Sequence, residues 1–298
     1  MVKSMFSGVS GLRAHQQKMD VIGNNIANVN TTAFKASRVT FTESLYQATA
    51  SSSNGTDTYG GKNGSQVGYG SQVGTIDLQL STGSYNPTDS ATDCMIDGEG
   101  FFIVGAKNDT GFSATDTAVA SAGISALYLT RAGNFSIDGD GYLVDGNKNV
   151  VYGFNYQGGV ENTGTISPIR AFDGTASTDK YSYTGVTINA TGEVTVTKAD
   201  DSTMVIGRIA VANVPNANAL EKTSNGYYKA IANTGTVLPY APGEGATGTL
   251  LSYGLEMSNV DLATQFTDMI TTQRGFQANS KIITVTDTML EELVNLKR

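Results

Sequence analysis

Few side chains in this sequence could carry out covalent or metal chemistry. The one histidine, His15, falls on the polar side of an N-terminal helical pattern, and the one cysteine is Cys94. A Ser-His-Asp arrangement would have to be built on a helix arm far in sequence from the carboxylates of the central region, so His15 reads as a solvated or interface residue. A single cysteine excludes an intramolecular disulfide framework and any cysteine-built zinc cage. Ser136-Ile137-Asp138-Gly139-Asp140-Gly141-Tyr142 sets carboxylates at alternate positions, as an oxygen-donor loop would. An EF-hand needs Asp or Asn at its fifth position and Gly at its sixth, where this chain has Tyr142 and Leu143, so the stretch reads as a hairpin turn. Gly98-Glu99-Gly100 lacks the third glycine and the following helix of a dinucleotide loop. The carboxylate pairs Asp138/Asp140 and Glu291/Glu292 lack the aromatic cleft of a glycosidase, since the chain has no Trp. The expectation is no catalytic residue, no cofactor and no metal.

What remains is a row of amides. Val21-Ile22-Gly23-Asn24-Asn25-Ile26-Ala27-Asn28-Val29-Asn30 continues a helical pattern while loading it with four asparagines. Asparagine competes with the backbone for hydrogen bonds and is a poor interior helix residue, so these side chains are expected to have partners. Composition narrows the choice of partner. Charged residues are only 15% of the chain, 35 residues are glycine, and the net charge is -8. No Lys/Arg cluster interleaved with aromatics is present, which argues against nucleic acid. The N-terminus has no 7–15-residue apolar run with a cleavage site, so no secretory signal peptide is expected. No 18-residue apolar stretch predicts membrane insertion either.

Two helical ends flank a strand-rich middle. Apolar residues at Met5, Val9, Leu12, Met19, Ile22, Ile26 and Val29 are spaced by threes and fours, and so are Leu262, Phe266, Met269, Phe276, Ile283, Leu290 and Val294, with polar breaks at Gln273, Ser280 and Asp287. Ser258 is the expected N-cap of the second helix, with Asp261 at N3 and Met257 stapled to Leu262. That helix would run to Arg298, Lys297 and Arg298 standing at its negative end. Between the helices, period-two alternation at 72–80, 186–189 and 193–197 and the turns at Asp97-Gly98, Asp138-Gly139, Asp140-Gly141, Asp145-Gly146 and Ala190-Thr191-Gly192 predict strands. Residues 48–71, rich in Ser, Gly and Asn, read as a flexible or conditionally ordered linker. The expected division is an N-terminal helix at 1–29, a linker segment at 30–70, a β-rich domain at 71–257 with a small insertion allowed around 155–185, and a C-terminal helix at 258–298.

The quoted blocks carry a resemblance. Ser7-Gly8-Val9-Ser10-Gly11-Leu12 with Met19 through Lys35, Ile96 through Val104, Leu129 through Phe135, Leu255 through Leu262 and Gln273 through Lys281 together resemble the bacterial flagellar rod, hook and filament-junction proteins. The resemblance implies a mainly β core domain whose long N- and C-terminal α-helices pack as a coiled-coil-like inner tube in a helical polymer. It implies a subunit of the flagellar axis, exported through the type III apparatus without a cleaved signal. Its partners would be copies of itself, adjacent rod and hook–filament junction proteins, and the hook cap and export apparatus during assembly. The implied assembly interface is Leu12, Met19, Ile22, Asn24, Asn25, Ile26, Asn28, Asn30, Phe34 and Lys35 at one end. At the other it is Ser258, Asn259, Asp261, Leu262, Phe266, Gln273, Arg274, Phe276, Asn279, Ile283 and Leu290. The amides of Asn24, Asn25, Asn28 and Asn30 would then pair across neighbouring subunits. One departure stands out: family members usually have Gly before Phe-Lys, where this chain has Ala33, at a strain of about 1 kcal/mol if the position needs a positive φ.

Within the family, the wording LEMSNVDLA, FQANSKIIT and the terminal NLKR looks like a hook protein, a curved universal joint outside the cell that transmits torque to the filament. The total length, without a large inserted outer domain, also suits a distal rod subunit of the basal-body drive shaft. A non-flagellar alternative is a secreted β-rich binding module that uses loops bearing Tyr181 and Tyr183.

Overall fold

The computed structural model describes residues 2–55, 60–107, 112–113, 127–157, 160–171, 183–198 and 200–296. Tyr181, Lys297 and Arg298 lie outside them. The chain divides into two units, one of Met1–Val29, Ala36–Gln79 and Val260–Arg298, the other of Asn30–Lys35 with Leu80–Asn259.

The first unit holds helix α1 (Val2–Ala27), strands β1 (Ser37–Glu43), β2 (Tyr46–Ala50), β3 (Ser65–Gly68) and β4 (Ser71–Leu78), and helix α2 (Leu262–Asn295). β1 pairs antiparallel with β4 from Ser37↔Leu78 to Glu43↔Ser71, with a bulge at Thr40/Phe41, and β2 pairs with β3. Two expectations change here. The segment 30–70, read as a linker, contains three of these strands. Polar cross-strand bonds such as Thr40–Thr75 between hydroxyls, Thr49–Ser65 and Tyr69 to Gln47 do work that apolar pairs do elsewhere, so composition gave no warning. β4, read as the first strand of the β domain, instead ladders with β1 in the helical unit, and the β-rich unit begins at Leu80.

The start of α2 also differs. Asp261 rather than Ser258 is the N-cap: its carboxylate accepts from Ala263 N at 3.1 Å and from Thr264 Oγ1 at 2.5 Å. Two nearby donors make Asp261 the better cap, and residues 258–260 stay outside the helix. The expected Met257–Leu262 staple therefore loses its N′/N4 spacing. At 34 residues, α2 is about 51 Å long at 1.5 Å per residue.

The β-rich unit is built on one large sheet. Its main path runs Tyr183–Ile188, Glu193–Lys198, Thr203–Ile209, Val150–Gln157, Phe101–Gly105, Tyr128–Thr130, Tyr227–Lys229 and Glu221–Lys222. Ala190-Thr191-Gly192 makes the expected turn, with Ile188 opposite Val194 and Gly192 at φ 80°. Val160–Pro168 pairs antiparallel with Val150–Gln157, so the described part of the allowed insertion, 155–157 and 160–168, belongs to the main sheet. Alternating apolar residues from these strands, among them Ile96, Phe102, Val151, Ile188 and Ile209, form one core. Cys94 is in it, fully buried, and burial pushes its thiol pKa well above the usual range. Two short ladders, Thr249–Ser252 on Cys94–Asp97 and Gly254–Glu256 on Tyr85–Pro87, bring the C-terminal part of the unit back to its beginning.

Candidate assembly surface

α1 and α2 run antiparallel. Asn25 meets Gln265, Lys18 meets Asp268 and His15 meets Gly275, while Gly11 faces Asn279 and Gly8 faces Ile283. On α2 this seam, completed by buried Thr272 and Thr286, advances in steps of three and four. Its residue types are small or polar. A Cβ at Gly275 would lie 2.7 Å from the His15 ring and one at Gly11 2.7 Å from Asn279 Nδ2, so these glycines let the helices approach closely. The buried threonines satisfy their hydroxyls on the helix itself, Thr272 on Asp268 O at 2.6 Å and Thr286 on Ile282 O at 2.7 Å. His15 packs edge-on against Phe41 at 5.6 Å, and burial, followed by the nearby Lys18 charge, lowers its pKa.

The apolar stripe of α2 is thereby left outside. Leu262, Phe266, Ile270, Phe276, Ile282, Val285, Met289 and Leu293 are each between 38% and 58% exposed. A soluble monomer rarely displays so long an apolar row, and one of this kind marks a surface that a partner covers. The apolar pattern on α1 is half-buried at Leu12, Met19 and Ile26, with Phe6 exposed and Ile22 buried. The period-3.6 signal thus located apolar faces without telling which partner covers them.

Several residues expected at the interface have partners within the chain. Asn25 is buried, its Nδ2 donating to Ser37 O at 2.9 Å and Gln265 Oε1 at 3.1 Å while its Oδ1 accepts from Ser37 N at 3.0 Å. Asn28 Nδ2 donates to Asn24 O and Asn24 Oδ1, both at 2.9 Å. The expectation that these amides pair only across subunits is corrected for Asn25 and Asn28, because a capping loop and a helix turn are nearer than any neighbour. Asn24 and Asn30 are exposed, as are Asp261, Gln273 and Arg274; Arg274 reaches Gln277 Oε1 at 3.4 Å. Asn279 and Ile283 belong to the seam, Leu290 is half-buried, and Ser258 is half-buried outside the helix.

Within the β-rich unit, residues 30–35 are stitched to the strand before α2. Ala33 N donates to Glu256 O at 2.8 Å and Asn259 N to Phe34 O at 3.4 Å, while Asn259 Nδ2 reaches Ser81. Lys35 is wholly buried and donates to Glu256 Oε1 at 2.5 Å and Ser81 O at 2.8 Å. Lys222 sits 4.1 Å over the Phe34 ring and donates to Lys35 O. Burial lowers the Lys35 pKa, and Glu256 opposes that shift. Lys35 is thus an internal anchor, and Glu256, which the sequence reading did not single out, is its counter-charge. Ala33 adopts φ 58°, the left-handed conformation that the usual glycine would take without strain.

Two family models match the chain, one described as flagella basal body rod protein over residues 5–35, the other as flagellar basal body rod FlgEFG protein C-terminal over residues 252–296. A flagellar basal-body rod protein FlgG of Bacillus subtilis (strain 168) is 42% identical over 299 residues, covering 100% of both chains. The chain belongs to the flagellar rod and hook protein family. Its members are structural parts of the flagellum and not enzymes. Among relatives in Borreliella burgdorferi, the flagellar hook protein FlgE is 26% identical over 458 residues and the rod protein FlgG 29% identical over 301, each comparison covering 100% of both chains. The two matched segments coincide with α1 plus the Ala33–Lys35 anchor and with α2 plus the strand that enters it, so the family signature lies on the helix pair and its attachment. No helix of a rod or hook protein like this one, among its described residues, is long and apolar enough to cross a membrane.

Proposed function

We propose that this chain is the subunit of the flagellar hook, polymerising through the outward apolar stripe of α2 into a curved tube that transmits torque to the filament. The observation that carries the choice is the Borreliella pair. Twenty-six per cent of 458 positions is about 119 identities with the hook protein, whereas 29% of 301 is about 87 with the rod protein. The 458 positions exceed this chain's 298 by at least 160, which lie opposite residues that the hook relative has and this chain lacks. Length therefore distinguishes this chain from that hook protein, while the shared positions draw it closer.

The second reading, a distal rod subunit, is favoured by the 42% identity to the Bacillus subtilis protein named as a rod protein. In either reading the chain assembles with copies of itself. For the hook we infer contact with the rod below, the hook–filament junction above and the hook cap and type III export apparatus during growth, at an extracellular site reached without signal cleavage. Electron micrographs of basal bodies from a strain lacking this protein separate the readings. The hook reading expects complete rods with no curved structure beyond the surface, and truncated rods would overturn it while leaving the family assignment intact.

A further inference from the structure

The β-rich unit contains a cavity of about 550 Å3 whose wall includes Ser81, Gly98, Glu99, Asn216 and Arg131. Arg131 is 2% exposed, yet its guanidinium is incompletely used. One terminal nitrogen donates to Gly98 O at 2.8 Å, the other lies 3.5 Å from Ile96 O and 3.6 Å from Glu256 Oε2, and Nε has no hydrogen-bond partner. The facing carboxylate is already committed. Glu256 Oε1 accepts from Lys35 Nζ and from Gly83 N at 2.9 Å, and Oε2 accepts no hydrogen bond.

Two buried cations thus share one buried carboxylate, leaving one positive charge in excess. A buried charge without a full complement of partners is costly, and a guanidinium N–H left without an acceptor adds to that cost. Glu99 on the cavity wall is exposed, where water and salt weaken its field. An entering monoanion that accepts from Nε would remove both deficits at once, and a carboxylate is the group that matches a guanidinium edge. The sequence carries 27 Asp and Glu against 19 Lys and Arg, so a second copy presents carboxylates in excess.

We propose that this cavity is a carboxylate socket, in which Arg131 Nε donates to an Asp or Glu side chain supplied by a neighbouring copy of the chain. The source of the carboxylate rests on the axial-polymer reading, whereas the affinity of the socket does not. The test follows the Arg131 Hε resonance by NMR in the full-length monomer titrated with sodium acetate, with sodium chloride at matched ionic strength as control, and then in the polymer. The expected result is a saturable downfield shift with acetate and none with chloride. In the polymer the signal should already be shifted and indifferent to acetate. Ala217→Phe, which narrows the cavity wall, should abolish the acetate response at unchanged Tm. No response in the monomer, an equal response to chloride, or a response that survives Ala217→Phe overturns the socket. A polymer that responds to acetate as the monomer does overturns the second copy as its source, whatever the deletion strain shows about hook or rod.

Discussion

Replacing Ile270 by Thr tests whether the outward stripe of α2 drives assembly. Ile270 is 58% exposed, so most of its side chain contributes nothing to the monomer and is available to a neighbour. Burying a whole Ile side chain is worth about 1.5–3 kcal/mol, and a little over half of that remains to be gained here. Thr keeps the β-branch and one methyl, and its hydroxyl can bond back to the helix as Thr267 does with Ala263 O at 2.9 Å, so no polar group is stranded. The loss per subunit in the polymer is then about 1–1.5 kcal/mol, which raises the critical concentration for growth roughly tenfold. Sedimentation of seeded polymer over a dilution series measures that concentration, and circular dichroism of the monomer checks that α2 is unchanged. An unaltered critical concentration with intact polymer would refute the assignment of this face to assembly.

Three further outcomes follow from single positions. Ala33→Gly relieves a left-handed φ worth about 1–2 kcal/mol at the expense of chain entropy and one methyl contact, for a net gain of roughly 0.5 kcal/mol, while Ala33→Val loses at least about 1 kcal/mol; chemical denaturation reads both, and a Val variant as stable as wild type would contradict the strain. Gly275→Ala drives a methyl against the His15 ring and should speed amide exchange in α1 and α2 while leaving the β-rich unit's protection unchanged; unchanged helix exchange would show that the close approach is not needed. The Asp261 carboxyl has its pKa lowered chiefly by the Thr264 hydroxyl and then by the Ala263 amide, so its capping contribution is present above the ordinary carboxylate range and is lost as pH falls through the depressed value; amide exchange at Ala263 should rise on that acid limb in wild type, and an identical profile in Asp261→Asn would sink the cap.

The helices, the strands at 101–104 and 193–197 and the glycine turns were legible because each rests on a local rule: period, turn chemistry or capping. The choice between Ser258 and Asp261 as cap was not, since both types cap well and only the path of 258–260 decides. Residues 37–78 were read as linker because their strands pair through Thr, Ser, Gln and Tyr side chains, and hydropathy does not register such ladders. Asn25 and Lys35 were correctly marked as residues needing partners, but sequence does not say whether the partner lies in the same chain. The seam of α1 with α2 is hardest to foresee. Gly8, Gly11, Gly275 and Thr272 form it, while the stronger apolar signal belongs to the opposite face.

The central claim is that the helix pair persists through its small and polar seam while the apolar stripe of α2 is covered by other copies. A high-resolution cryo-electron microscopy map of the native polymer tests it most directly. The account predicts Gly275 still against His15 within each subunit, with Phe266, Ile270 and Leu293 buried against neighbouring chains. A map in which those side chains face solvent or the channel, or in which α1 and α2 have separated, would contradict it.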